Sequence, residues 1–305
     1  MTTHSLYRGL DREALDVQYN ARATVQDIGP TLKSYAELSE TARRTLPCAL
    51  NVAYGPHPDE TLDIFPGATE QPGPVLIYLH GGYWRLLSKD DSSFMAPALS
   101  QKGITVVAVN YSLAPAVTLD HIVDQTRRAL GWISKHIAQH HGNPQQLIVA
   151  GSSAGGHLAG MALVPGWQQR YGVQPGSIRG AVLLSGLFDL TPLVHTHINE
   201  WMQMSDAGAR LNSPMLHMPD AGPHILVSYG TNETDEFKRQ SIDFLAAWQA
   251  RGLSGEYIDM PGTNHFDLVL SLGDPVSALA GALLRLTESL DDSVPPAGKQ
   301  VPKIV

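Results

Sequence analysis

Cysteine is nearly absent from this chain: Cys48 is the single one in 305 residues. That excludes an intramolecular disulfide and any thiolate metal cluster within one chain, and it suits a reducing, cytoplasmic setting. Basic charge is in deficit as well, with 21 Lys and Arg against 29 Asp and Glu and a formal net charge of −8. Nothing therefore favours a nucleic acid or an anionic membrane surface as partner. No apolar run approaches the ~20 residues needed to span a bilayer. The start, Met1-Thr2-Thr3-His4-Ser5-Leu6-Tyr7-Arg8, lacks the apolar core of a secretory signal. A Gly-x-Gly-x-x-Gly opening to the first strand–helix unit is missing, which argues against a dinucleotide fold, and no internal repeat is visible. What remains is 43% hydrophobic and 16% charged, the balance of a globular enzyme with one large core, taken as a single α/β domain over residues 1–305.

The apolar pattern divides that domain. Helical spacing over about 11–27 and 32–46 predicts N-terminal helices outside the main sheet, within residues 1–46. Alternation over Ala49–Tyr54 and Thr61–Pro66, around a Gly/Pro/Asp turn, predicts an antiparallel hairpin at a sheet edge. Continuous apolar runs at Val75–His80, Thr105–Asn110 and Leu147–Ala150 predict parallel strands buried on both faces. Further strands are expected at Gly180–Ser185, His224–Tyr229 and Glu256–Met260. Helices are expected at Leu119–His141, Ala154–Leu163, Phe237–Ala250 and Pro275–Leu290. The alternation predicts a mostly parallel, doubly wound sheet with helices on both faces. Residues 189–223 follow neither period and form either a small partial cap or a plain surface excursion. The Pro-, Asp- and Ser-rich tail over 291–305 is expected to be flexible.

One stretch carries chemistry. Leu147-Ile148-Val149-Ala150-Gly151-Ser152-Ser153-Ala154-Gly155-Gly156-His157 runs from an apolar strand through Gly-x-Ser-x-Gly into a helix. A serine on such a turn projects from the carboxyl end of the sheet, which makes Ser153 the candidate nucleophile. Serine needs a base to take its proton. His265 lies in the turn-rich Pro261-Gly262-Thr263-Asn264-His265-Phe266-Asp267 after the last strand, where the chain order of the α/β-hydrolase fold places that base. The acid should follow the penultimate strand, in Tyr229-Gly230-Thr231-Asn232-Glu233-Thr234-Asp235-Glu236. Glu233, nearest the strand end, is favoured over Asp235, while Glu236 is expected to start the next helix and cap its dipole. His80-Gly81-Gly82-Tyr83-Trp84 follows an earlier strand and offers the amides of Gly82 and Tyr83, joined by that of Ala154, as oxyanion donors. Tyr83 and Trp84 either stack on an aryl substrate or pack beneath the neighbouring helix. The His140-His141 and His195-Thr196-His197 pairs lack an assignable third ligand, so neither a metal nor another cofactor is expected.

These motifs resemble the kynurenine formamidase (arylformamidase) branch of the α/β-hydrolases. The likeness rests on His80-Gly81-Gly82-Tyr83-Trp84, on Gly151-Ser152-Ser153-Ala154-Gly155-Gly156-His157-Leu158 and on Glu233-Thr234-Asp235-Glu236-Phe237-Lys238-Arg239-Gln240-Ser241, and it extends from Tyr19-Asn20-Ala21-Arg22 to the His265 loop. The resemblance implies a metal-free serine hydrolase of a small molecule, cleaving N-formylkynurenine to kynurenine and formate. The same motifs are shared with short-chain carboxylesterases, and a non-catalytic ligand-binding relative would be expected to lose one of the three residues. The family acid is often Asp, and its motif lands on Glu233. The residue before the nucleophile is commonly His; here it is Ser152, placed with Tyr83 and Trp84 among the candidate substrate-binding residues. A homodimer is compatible with the chain.

Overall fold

The computed structural model describes residues 5–291, so the expectation for the tail after Asp291 lies outside the described residues. Eight strands build one sheet: β1 Ala49–Ala53, β2 Thr61–Phe65, β3 Gly73–Leu79, β4 Thr105–Val109, β5 Gly142–Ser152, β6 Ile178–Leu184, β7 His224–Ser228 and β8 Gly255–Tyr257. Their order is β1-β2-β4-β3-β5-β6-β7-β8. The β1–β2 and β2–β4 pairs are antiparallel and every later pair is parallel. The expected hairpin is thus the edge of an otherwise parallel sheet.

The continuous apolar runs have a simple origin. Successive strand residues face opposite sides, and helices cover both. Val75, Ile77, Leu79, Leu147, Val149 and Leu183 point into one core, under the helices Leu119–His136, Ala154–Leu163 and Asp235–Ala250. Leu76, Tyr78, Ile148, Ala150, Val182 and Leu184 point into the other, against the helices Gly29–Thr45, Ala96–Ser100 and Ala278–Asp291.

The boundaries differ in places. The expected first helix stops at Gln18, because Asn20 turns its side chain back to accept from the Ala23 N–H and opens a separate 3-10 turn over Ala21–Thr24. The 119–141 helix ends at His136, passes into a 3-10 turn, and closes at His141 in the left-handed region. β5 starts five residues before its apolar run, as polar Gly142–Gln146 still follows β3. β8 is shorter than its apolar pattern suggests. Residues 189–223 form short turns and helices, including Thr191–His195, Asn199–Met202 and Asp206–Leu211. Among the described residues no helix is long and apolar enough to cross a membrane.

Candidate active site

Four carboxyl strand ends converge on one place. At the end of β5, Ser153 takes φ 57° and ψ −119°, a left-handed geometry that a non-glycine residue holds only when its surroundings impose it. They do so here on both sides. The Ser153 N–H donates to Leu184 O at 2.8 Å, and its carbonyl accepts from His157 N–H at 2.9 Å in the first turn of the following helix. Gly155 lets that helix approach the β3 end: a Cβ there would lie 1.9 Å from Leu79 O and 2.6 Å from His80 O.

The loop after β3 comes to lie against the serine. A Cβ on Gly81 would sit 3.0 Å from Ser152 O and 3.5 Å from Ser153 Cβ. Gly82 has φ +99°, with Tyr83 and Trp84 also at positive φ, and the Arg85 and Leu86 N–H groups both close back on Gly82 O at 3.0 Å. His80 stacks flat on Tyr111 at 4.0 Å and bonds through Nδ1 to Gly81 O at 2.9 Å. Burial pushes its pKa down to about 4, so it is neutral near pH 7.

Beyond β7 the chain turns tightly, Glu233 N–H donating to Gly230 O at 3.0 Å. The Glu233 carboxylate is buried and fully engaged. Oε1 accepts from the Gly230 N–H at 2.5 Å and the Ser185 hydroxyl at 2.6 Å, while Oε2 lies 2.7 Å from His265 Nδ1. The acid and histidine loops are laced together by Asn232 N–H to Thr263 O at 2.9 Å and Gly262 N–H to Thr231 Oγ1 at 2.8 Å. Asn264 then shapes the histidine turn, its Oδ1 accepting from the Phe266 N–H at 2.8 Å.

Of the competing acids, Asp235 is exposed at the start of its helix. Glu236 does sit in that helix's first turn, but its carboxylate is not spent on the helix N–H groups. It accepts from the Tyr19 hydroxyl at 2.8 Å and pairs with Arg239 at 2.7 Å. The guanidinium and the Tyr19 bond hold its pKa below the usual value, against the opposing effect of its burial.

Ser152, Ser153, His265, Gly82 and Tyr83 all face one cavity of about 520 Å³. Trp84 does not. It is fully buried, its indole N–H donating to His157 Nδ1 at 3.3 Å and its ring meeting the His157 edge. The expectation that Trp84 touches substrate is therefore corrected: the left-handed turn at Gly82–Trp84 sends successive side chains to opposite sides, Tyr83 to the cavity and Trp84 into the core. His157 completes the contact by bonding through Nε2 to Asn212 O at 2.7 Å, and burial pushes its pKa down to about 4.

The cavity also has walls that strand-by-strand reading missed. Tyr19, Asn20, Arg22 and Tyr35 come from the N-terminal segment, and His197 and Trp201 from the 189–223 excursion. The two segments are tied to the site: Tyr83 OH donates to Tyr19 O at 2.6 Å, Trp201 Nε1 to Tyr83 O at 3.3 Å, and His197 Nδ1 pairs with Asp16 at 2.9 Å. The Tyr19-Asn20-Ala21-Arg22 motif was the available signal for the first wall. Ser185 had no signal beyond its place at the end of β6. Among the described residues no group of three or more His, Cys, Asp or Glu is placed to hold a metal.

Comparison with known proteins agrees with this geometry. Residues 76–267 match the family described as having the alpha/beta hydrolase fold. The chain is 37% identical to the kynurenine formamidase of Salmo salar over 288 residues, covering 91% of this chain and 95% of that protein. It is 35% identical to that of Danio rerio over 295 residues, covering 92% and 98%. More distantly it is 30% identical to a probable carboxylic ester hydrolase of Mycobacterium tuberculosis, covering 68% of this chain and 52% of that one. Among solved structures, a putative thioesterase from Silicibacter superposes with a TM-score of 0.77 at 28% identity, covering 90% of this chain and 98% of that one. A mostly parallel sheet whose strand ends bring a strained serine, a carboxylate-bound histidine and a glycine loop to one cavity, in a chain this similar to these relatives, is an α/β-hydrolase enzyme, and the chain belongs to the kynurenine formamidase family.

Proposed function

We propose that this enzyme hydrolyses an aryl formamide, N-formylkynurenine, to kynurenine and formate through a formyl-enzyme on Ser153. The observation that carries the reading is that Ser153, held at φ 57°, opens onto the same cavity as His265, whose far nitrogen is bonded to Glu233 at 2.7 Å. That bond orients the imidazole with its proton on Nδ1, leaving Nε2 to take the Ser153 proton.

Serine Oγ attacks the formyl carbon, and the negative charge moves to the carbonyl oxygen. On this reading the main-chain N–H groups of Gly82, Tyr83 and Ala154 receive that oxygen, each worth about 3 kcal/mol in such sites. The imidazolium then delivers its proton to the aryl nitrogen, the C–N bond breaks and kynurenine leaves. Water, deprotonated by His265, attacks the formyl ester, and formate departs as Ser153 recovers its proton. No metal enters any of these steps, every group invoked comes from one chain, and the lone Cys48 suits a cytoplasmic setting. The aromatic wall of Tyr35, Tyr78, Tyr83, Phe94 and Phe266 supports an aryl leaving group.

A second reading, a short-chain carboxylesterase, is favoured by the aliphatic part of that wall, Leu32, Leu87 and Val269. Comparing kcat/KM for N-formylkynurenine with that for p-nitrophenyl acetate and butyrate separates the two. Efficient deformylation is expected; negligible deformylation beside fast ester cleavage replaces the first reading with the second. Fluorophosphonate labelling that spares Ser153 in the folded protein defeats both.

A further inference from the structure

The cavity is walled mainly by aromatic and aliphatic side chains, yet two arginines, Arg22 and Arg85, stand on it. They are not equivalent. Arg22 already gives an N–H to Val25 O at 2.8 Å. The Arg85 guanidinium lies 4.8 Å over the Trp201 ring, and among the described residues its side chain has neither a hydrogen-bond acceptor nor an ion-pair partner. Trp201 is in turn fixed by its indole N–H on Tyr83 O at 3.3 Å. Among the described residues Asp91 is the one carboxylate on the cavity wall, and no ion pair joins it to Arg85.

The guanidinium has one face toward the indole, and that contact takes up none of its N–H groups. Its in-plane N–H edge is left as a planar fork, the shape that a carboxylate oxygen pair fits. Arg85 also follows directly on Gly82-Tyr83-Trp84, so the turn that brings the glycine loop to Ser153 fixes the start of its side chain as well.

We propose that Arg85 is a specificity-determining residue of this cavity, binding a carboxylate carried by the leaving group of the substrate. The proposal rests on the hydrolase reading above and narrows its substrate to aryl formamides or esters whose leaving group carries a carboxylate. The carboxylate is remote from the bond that breaks, so the contact is made equally in the ground and transition states and its loss is read in KM.

The test compares kcat/KM of the wild type, Arg85→Met and Arg85→Lys for a formamide that carries a carboxylate, N-formylkynurenine, and one that does not, formanilide. The ratio of the carboxylate-bearing to the carboxylate-free substrate is expected to fall about tenfold in Arg85→Met, through KM, as for loss of one charged hydrogen-bonded contact at a partly open site. Arg85→Lys keeps the charge without the fork and falls between the two. Thermal unfolding of each variant reports separately on folding. A ratio unchanged within about twofold in Arg85→Met overturns the proposal while leaving deformylation intact. If the wild type cleaves neither formamide, the formamidase reading fails, and the same ratio is taken with phenyl acetate and 3-(2-acetoxyphenyl)propanoate. A tenfold fall there upholds Arg85, and an unchanged ratio removes it.

Discussion

Glu233→Gln replaces two acceptor oxygens by one oxygen and one NH2 at nearly the same volume, and the bonds around the carboxylate dictate how that amide must face. Oε1 receives the Gly230 N–H at 2.5 Å and the Ser185 hydroxyl at 2.6 Å, and Oε2 faces His265 Nδ1 at 2.7 Å. A backbone N–H cannot accept, so the amide oxygen stays toward Gly230 and the NH2 points at His265. The imidazole must then accept at Nδ1 and carry its proton on Nε2, the nitrogen that has to receive the serine proton. Turning the amide over leaves the Gly230 N–H unpaired in a buried site, at about 2 kcal/mol, a factor of roughly 30. The carboxylate charge that stabilises the imidazolium is also gone. Together these predict a fall in kcat of about 10³ to 10⁴, close to the roughly 10⁴ known when the acid of a serine triad becomes an amide. The assay is p-nitrophenyl acetate turnover near pH 8, with the thermal midpoint as a folding control. Asp235→Ala serves as comparison: its carboxylate is exposed and starts the helix, and less than about a twofold loss is expected. Retention of more than a tenth of kcat by Glu233→Gln, or a larger loss in Asp235→Ala, would refute the reasoning.

Two further predictions concern the frame of the site. Gly155→Ala would drive a Cβ to 1.9 Å from Leu79 O, backbone that cannot step aside, whereas at Gly281 the nearest atom is the flexible Arg285 guanidinium at 3.6 Å. Urea unfolding should show the first losing at least about 3 kcal/mol and the second gaining a few tenths to about 1 kcal/mol; equal effects would remove the close-approach argument. His157, buried and pushed down to about 4, binds no proton in the folded state where the unfolded state, near 6.5, already does. Stability is therefore whole above pH 6.5 and lost as pH falls toward 4, by on the order of 3 kcal/mol at full extent. His157→Gln can keep both contacts without titrating, so its urea midpoint should fall less steeply over that window; parallel slopes would show that His157 is not the group responsible.

Most of the site was legible in the sequence because its members follow strand ends, and strand ends are marked by local chemistry. The Gly-x-Ser-x-Gly turn, the His-Gly-Gly loop and the Pro261–Asp267 loop each stand where an apolar run stops. Order along the chain then assigns them to one edge of the sheet, since parallel strands joined by right-handed crossovers put all carboxyl ends together. Trp84 escaped this logic. Its fate depended on the positive φ of three consecutive residues, a turn geometry that composition does not specify. Glu236 escaped it as well, since Tyr19, which bonds it beside its own-helix partner Arg239, lies 217 positions away in the chain.

The sequence by itself determined the class of fold and nominated a serine, a histidine, and a choice between Glu233 and Asp235. Those follow from periodicity and turn chemistry, which are local. Only the tertiary structure decided that Glu233 meets His265, that Ser185 and Gly230 hold it there, and that Arg85 lies over the Trp201 ring. It also brought the N-terminal segment and the 189–223 excursion to the cavity wall. Apart from the Gly230 N–H, three positions from Glu233, these are contacts between residues tens to hundreds of positions apart, set by how layers pack over a twisted sheet, and packing is a property of the whole chain at once.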